Sequence, residues 1–298
     1  MLVFPHAKIN LGLNVLSKRP DGFHNIETLF FPIGLCDLLE MVVAADGQFE
    51  FETSGLPVPG GQSSNLCVRV CRLLGPRIQS SLSSGRQTEF FPPSSQTMAL
   101  PAETTLPPVK IHLHKVIPMG AGLGGGSADG AFTLKLLNEL FNLGLSVAQL
   151  EDYARQLGSD CAFFIKGKPV FAYERGDRFV PPGIGLPPFS LLLVVPDIHC
   201  GTAAAYAAIK PAVPDLHISD VIGKPMEAWK KELKNDFEQP VFRLHPELQT
   251  IKNTLYDAGA MYASLSGSGS AVYGIFHRTP PLDDRFPGCF VWHSDDRP

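Results

Sequence analysis

The chain has 298 residues, 44% of them hydrophobic and 18% charged, with a formal net charge of −4. That is ample for a core in one large domain or two ordinary ones, and it offers no bulk attraction to nucleic acid or to an anionic membrane. No apolar run approaches the roughly 20 residues that cross a bilayer, the N-terminus lacks a secretory-signal pattern, and six scattered cysteines without a C-x-x-C pair suit a reducing cytoplasm better than a disulfide framework or a zinc site.

Residues 7–16 alternate Ile9, Leu11, Leu13 and Val15, the pattern of a half-buried strand. Lys8 and Asn10 fall on the other side, where a lysine is either solvated or, beside a core, in need of a partner. Arg19-Pro20-Asp21-Gly22 marks a tight turn. Residues 27–33 and 38–43 read as further strands. Asn65 is positioned to cap a helix over 66–74. From 75 to 108 Ser, Thr, Pro and Gln dominate and periodicity is lost, which predicts a long surface insertion.

Residues 109–116 alternate Val109, Ile111 and Leu113 as a strand, and Pro118 breaks it. An amphipathic helix is expected over 128–142. Ser146 with Gln149 forms a capping-box pattern for another, which ends at Gly158. Residues 163–165 and 169–173 suggest a hairpin, and 191–195 a buried strand. A lobe boundary is expected after it, giving 1–195 and 196–298. The second part carries helices near 202–209 and 246–258. Strands over 261–264 and 271–276 flank Ser266-Gly267-Ser268-Gly269-Ser270.

Between the strand at 109–116 and the helix from 128 lies Pro118-Met119-Gly120-Ala121-Gly122-Leu123-Gly124-Gly125-Gly126-Ser127-Ala128-Asp129. Glycines free the backbone to aim successive N–H groups inward, and a helix N-terminus adds unsatisfied donors and partial positive charge. Strand, glycine loop and helix together predict a phosphate cradle. Gly120, Gly122 and Gly125 match the spacing of the dinucleotide fingerprint, but that fold needs a second parallel strand after the helix, and here another helix follows. No Gly-Lys-Ser/Thr closes the loop, so it is no Walker A motif, and a phosphate-neutralising cation must come from elsewhere.

This loop resembles the ATP-binding motif of the GHMP kinases. Pro5-His6-Ala7-Lys8-Ile9-Asn10-Leu11 resembles their first motif and Leu265-Ser266-Gly267-Ser268-Gly269-Ser270-Ala271 their third. Arg19-Pro20-Asp21-Gly22-Phe23-His24 and Gly158-Ser159-Asp160-Cys161-Ala162-Phe163-Phe164 resemble most closely the branch that phosphorylates a hydroxyl of a cytidyl-diphosphate derivative of methylerythritol. The resemblance implies an α+β, two-lobed GHMP kinase fold, with an N-terminal ribosomal-S5-like lobe (1–195, ATP-binding, with the insertion near 75–108) and a C-terminal ferredoxin-like lobe (196–298). ATP is the implied co-substrate, with Mg²⁺ expected and its ligands unassigned. The implied protein is cytoplasmic, a monomer or homodimer, with a small-molecule partner rather than nucleic acid or membrane.

Residue by residue, the resemblance implies that Asp160 is the catalytic base and Lys8 its charged partner. From the residues alone Asp160 reads first as a capping or turn carboxylate at the rim of an apolar run, and it is the resemblance that reverses this. Residues 118–128, from Pro118 and Met119 through Ser127 to Ala128, would hold ATP, with Asn65 at the adenine. Asn10, Phe23 and His24 would meet the substrate. Phe23 stands where related chains often carry Tyr, so an aromatic face remains without its hydroxyl. Thr202 and Tyr206 follow Pro196-Asp197, where the family places further substrate contacts. The competing readings are a homoserine or mevalonate kinase, which needs no nucleobase pocket at Gly22-Phe23-His24, a nucleotide-binding protein without turnover and, last, a dinucleotide oxidoreductase.

Overall fold

The computed structural model describes residues 1–84, 106–183 and 185–294. In chain order the first half forms β1 (Leu2–Val3), β2 (His6–Lys18), β3 (His24–Cys36), β4 (Leu38–Val43), β5 (Glu50–Gly55), α1 (Leu66–Ser84), β6 (Val109–Lys115), α2 (Gly125–Leu140) and α3 (Val147–Leu157). There follow α4 (Phe163–Lys166), β7 (Val170–Glu174), β8 (Arg178–Val180), β9 (Ser190–Val195), α5 (Thr202–Ala207), α6 (Ile218–Ile222), α7 (Met226–Glu232), α8 (Glu238–Leu244), α9 (Pro246–Asp257), β10 (Tyr262–Leu265), β11 (Val272–Phe276) and β12 (Phe290–His293). The mixture is α+β.

The chain divides into two compact units that interleave along the sequence. The first comprises Met1–His6, Cys36–Ile117 and Gly124–Gly167. Its sheet has the order β1-β4-β6-β5, with β4 antiparallel and β5 parallel to β6. Leu39, Met41, Val109, Ile111 and Leu113 are buried on one face of that sheet, and α1, α3 and α4 pack around α2. The second unit comprises Ala7–Leu35, Pro118–Leu123 and Lys168–Pro298. It contains the sheets β2-β3-β7-β8 and β10-β11-β9-β12. Its core joins Leu13 and Val15 of β2 to Leu192 and Val194 of β9, Phe237, Leu248, Leu255 and Val272. The expected boundary at 195/196 falls inside this unit, at the end of β9.

Several expectations change. Helix α1 continues through Pro76 to Ser84 instead of ending at 74. Proline removes one amide donor from a helix. However, Cys67, Cys71, Leu74 and Ile78 keep a buried stripe of helical period across it. Of the rest of the expected insertion, residues 85–105 lie outside the described residues, and 106–108 lead directly into β6. Residues 163–165 are not a strand: they form the single turn α4, closed by Gly167 at φ 59°. The hairpin joins β7 to β8 instead. A short apolar run does not itself distinguish strand from buried helix. Strand β2 is buried on both sides, so Lys8 at 3% and Asn10 at 2% exposure are interior residues and not solvated ones. Backbone bonds from Leu13 to Lys234 and Asp236, and a bond from the Tyr273 hydroxyl to the Asn10 carbonyl, also close an edge of the strand.

Candidate active site

The glycine loop alternates left-handed residues with anchored ones. Gly120, Gly122 and Gly124 have φ of 73°, 81° and 72°, and the side chains of Ala121 and Leu123 between them are buried. Such alternation turns N–H groups toward one concavity. At Gly122 only glycine fits, because a Cβ would stand 2.0 Å from the Ser266 carbonyl oxygen. Helix α2 begins within the glycine run, earlier than the expected 128. Gly124 provides no side-chain cap, and the first turn carries no acid. Its opening amides therefore suit an anion.

In the second unit, the first motif, the front of the loop and the third motif form one hydrogen-bonded assembly. The Lys8 amide donates to the Leu123 carbonyl (2.9 Å), and the Ala271 amide donates to the Ala121 carbonyl (3.0 Å). The Ser266 hydroxyl accepts from the Asn10 amide (3.4 Å) and donates to the Gly122 carbonyl (2.9 Å). The Lys8 ammonium donates to Asn10 Oδ1 at 2.6 Å and lies 5.0 Å from the Phe30 ring centre. Asn10 Nδ2 donates to Thr28 Oγ1 at 3.0 Å, so both ends of this amide are engaged within the protein. Two further residues, Asn235 and His199, were not apparent from the sequence. Asn235 Nδ2 donates to the Leu265 and Gly267 carbonyls and holds the third motif's turn. His199 packs where a Cβ on Gly120 would point, 3.5 Å from that position.

Phe23 and His24 sit at the β2–β3 turn, where the Asp21 carboxylate accepts from the Phe23 amide. Phe23 is 54% exposed, with the Arg175 guanidinium 5.4 Å from its ring centre. The His24 ring stacks on Tyr206 at 4.8 Å and 17°, and Tyr206 meets Phe237 edge-on. Burial, with Lys18 nearby, lowers the His24 pKa and favours the neutral ring.

In the first unit, Ser127 at the loop's end and Asp160 both lie around the buried Cys161. The Cys161 thiol is pushed up to about 12 by burial; its hydrogen bond with Ser127 and the Arg69 charge oppose this, and the Asp160 carboxylate adds to it. Asp160 is half-buried ahead of the buried run Cys161 to Ile165, as its rim position predicts. Asn65 caps α1 by accepting from the Cys67 amide (2.9 Å). Lys8 and Asp160 belong to different units.

The same unit holds a buried charge cluster that the sequence reading passed over. Lys115 donates to Asp37 Oδ2 and, at 2.7 Å, to Asp129 Oδ2, and all three side chains are at most 4% exposed. The available signal was register: residue 115 shares the buried side of β6 with Leu113 and Ile111.

Two protein-family models match the chain: GHMP kinases N terminal domain over residues 95–168 and GHMP kinases C terminal over residues 218–284. The chain is 47% identical over 281 residues to the 4-diphosphocytidyl-2-C-methyl-D-erythritol kinase of Cytophaga hutchinsonii, across 94% of each protein. It is 43% identical over 296 residues to the protein of that name from Parabacteroides distasonis, across 99% of each. A crystal structure of 4-(cytidine 5'-diphospho)-2C-methyl-D-erythritol kinase matches with a TM-score of 0.75 at 30% identity, covering 98% of each chain.

Proposed function

The chain belongs to the 4-diphosphocytidyl-2-C-methyl-D-erythritol kinase family of the GHMP kinases, and from that membership we propose that it transfers the γ-phosphate of ATP to a hydroxyl of 4-diphosphocytidyl-2-C-methyl-D-erythritol, a step toward isoprenoid precursors by the non-mevalonate route. It is an ATP-dependent small-molecule kinase of α+β fold. The observation that carries the kinase reading is the assembly of Lys8, the loop carbonyls of Ala121 to Leu123, and the third motif through Ser266 and Ala271. The substrate choice rests on the relatives' shared name and on the aromatic turn at Phe23 and His24.

In this reading the substrate hydroxyl oxygen attacks the γ-phosphorus, the bond to the β,γ-bridging oxygen breaks, and ADP leaves. The hydroxyl proton passes to the Asp160 carboxylate, and the Lys8 ammonium stabilises the developing alkoxide. Burial makes the Lys8 charge effective, and its bond to Asn10 fixes the side chain's direction. Loop and helix amides take the phosphate oxygens, and Asn65 borders the adenine. The exposed Phe23 face and the stack of His24 on Tyr206 offer flat surfaces to cytosine, so recognition runs through ring faces and not a phenol hydroxyl.

Among the described residues no group of three His, Cys, Asp or Glu could hold a metal. An Mg²⁺ that travels with ATP, its shell filled largely by phosphate and water oxygens, does fit and would supply charge neutralisation. No helix among the described residues is long and apolar enough to cross a membrane.

The test is ADP release with purified chain, ATP, Mg²⁺ and each of the cytidyl substrate, mevalonate and homoserine. Turnover of the cytidyl substrate is expected, with loss of turnover but retention of ATP affinity in Asp160→Asn. Turnover of mevalonate or homoserine in its place overturns the substrate reading. An active Asp160→Asn overturns the assigned base.

A further inference from the structure

A lysine beside a helix N-terminus, inside the protein, needs a reason to be there. Lys115 is the last residue of β6 and is 1% exposed. Its ammonium lies 3.4 Å from where a Cβ on Gly125, the first residue of α2, would stand. The helix end carries partial positive charge, so this is a costly position for an unpaired cation. Asp37 and Asp129 offset that cost from two directions. Asp129 lies on α2, one turn past its start, and its Oδ2 accepts from Lys115. Asp37, fully buried at the junction of β3 and β4, accepts from Lys115 with Oδ2. Its Oδ1 accepts from the amides of Val116 (2.6 Å) and Ile117 (2.9 Å).

The cluster therefore ties the two residues that lead into the glycine loop to the helix that leads out of it. Nothing in the phosphate chemistry itself uses these side chains.

We propose that Lys115, Asp37 and Asp129 are positioning residues that hold the two ends of the glycine loop in register for the ATP phosphates. The role rests on the reading of that loop as the ATP cradle. Lys115 serves as a rivet, Asp37 fixes the backbone entering Pro118, and Asp129 fixes the angle at which α2 presents its opening amides.

This makes a selective demand. Loosening the cluster disturbs the nucleotide and leaves the acceptor alcohol's own contacts intact, whereas general damage to the fold degrades both. The experiment uses the full chain and the variants Asp37→Asn and Asp129→Asn, which keep shape and remove charge. Affinity for a non-hydrolysable ATP analogue is measured by calorimetry, and KM for ATP and for the acceptor by steady-state assay. Each variant is expected to weaken analogue binding and raise KM for ATP by about tenfold, as loss of a charge-assisted bond implies. KM for the acceptor and kcat should stay within about twofold. Variants that bind the analogue as the wild type does, or that lose both substrates equally, overturn the cluster's role. A wild type that binds no analogue removes the cradle reading, and the cluster's role with it. Should Asp37→Asn fail to fold, Asp129→Asn decides the matter, because it perturbs one bond to Lys115 and no backbone amide.

Discussion

The Lys8 ammonium donates to the Asn10 side-chain carbonyl across 2.6 Å, two residues apart on one buried strand. Neighbours at this spacing point to the same face of a strand, so the sequence itself fixes the pairing once both are interior. Replacing Asn10 with Ala takes one hydrogen-bond partner from a buried ammonium and also removes the donor to Thr28. The expected result is a destabilisation of about 2 kcal/mol and a fall in kcat of about tenfold or more, because Lys8 loses its fixed direction. Denaturant titration and steady-state kinetics check this. A variant as active and as stable as the wild type would remove Asn10 from the site.

Gly122 and Gly144 separate two costs of adding a methyl group. Both are left-handed, at φ 81° and 66°, but only Gly122 has a neighbour in the way. Gly144→Ala should cost about 1 kcal/mol from backbone strain alone. Gly122→Ala should cost about 3 kcal/mol or more and abolish measurable ATP binding, since the loop must retreat from Ser266. Thermal melts of the two variants give the difference, and similar melting points would contradict the close approach.

Asp129 predicts a pH dependence of stability. Burial, the largest cause, pushes its carboxyl up to about 7, aided by Asp37, while Lys115 pulls the other way. Cys67 on α1 also faces it, with a thiol that burial raises well above the ordinary range. In the unfolded chain Asp129 ionises near the ordinary carboxylate value, about 4. Between those two pH values the folded chain holds a proton that the unfolded chain has released. The carboxyl's contribution to stability is therefore full below about pH 4 and is lost as pH rises to about 7. The stability of the wild type minus that of Asp129→Asn should fall across this window and level off above it. Denaturant midpoints from pH 4 to 8 measure it, and a pH-independent difference would refute the assignment.

The stack of His24 on Tyr206 predicts selective loss of the acceptor. Tyr206→Ala should raise KM for the cytidyl substrate by about tenfold, the scale of one base-stacking surface, and leave KM for ATP near its wild-type value. Kinetics with each substrate varied in turn give the answer. An equal effect on both would point to damage of the Phe237 contact instead.

Periodicity and punctuation made much of this legible in advance. The alternation in β6, the capping box of Ser146 and Gln149, and the cap at Asn65 are local chemistry and stand as read. The glycine loop was legible because its composition has few other physical uses. What escaped depends on distant packing. Alternation in β2 implies one wet face, yet Lys8, Asn10 and Asn14 on that face are buried as well. Pro76 signals a break, yet the buried stripe through Ile78 carries α1 past it. Asp37 gave no signal, because its partners lie nearly 80 residues away along the chain.

The anchoring of Ala121 and Leu123 has a consequence for how nucleotide binds. A run rich in glycine is ordinarily a floppy segment whose disorder must be surrendered when a ligand arrives. Here the alternate residues are sunk in the interior and their carbonyls are taken by Ala271 and Lys8. The conformational entropy of this segment is lost when the chain folds, not when ATP docks. The cradle is thus preorganised, and more of each amide–phosphate contact is available as affinity.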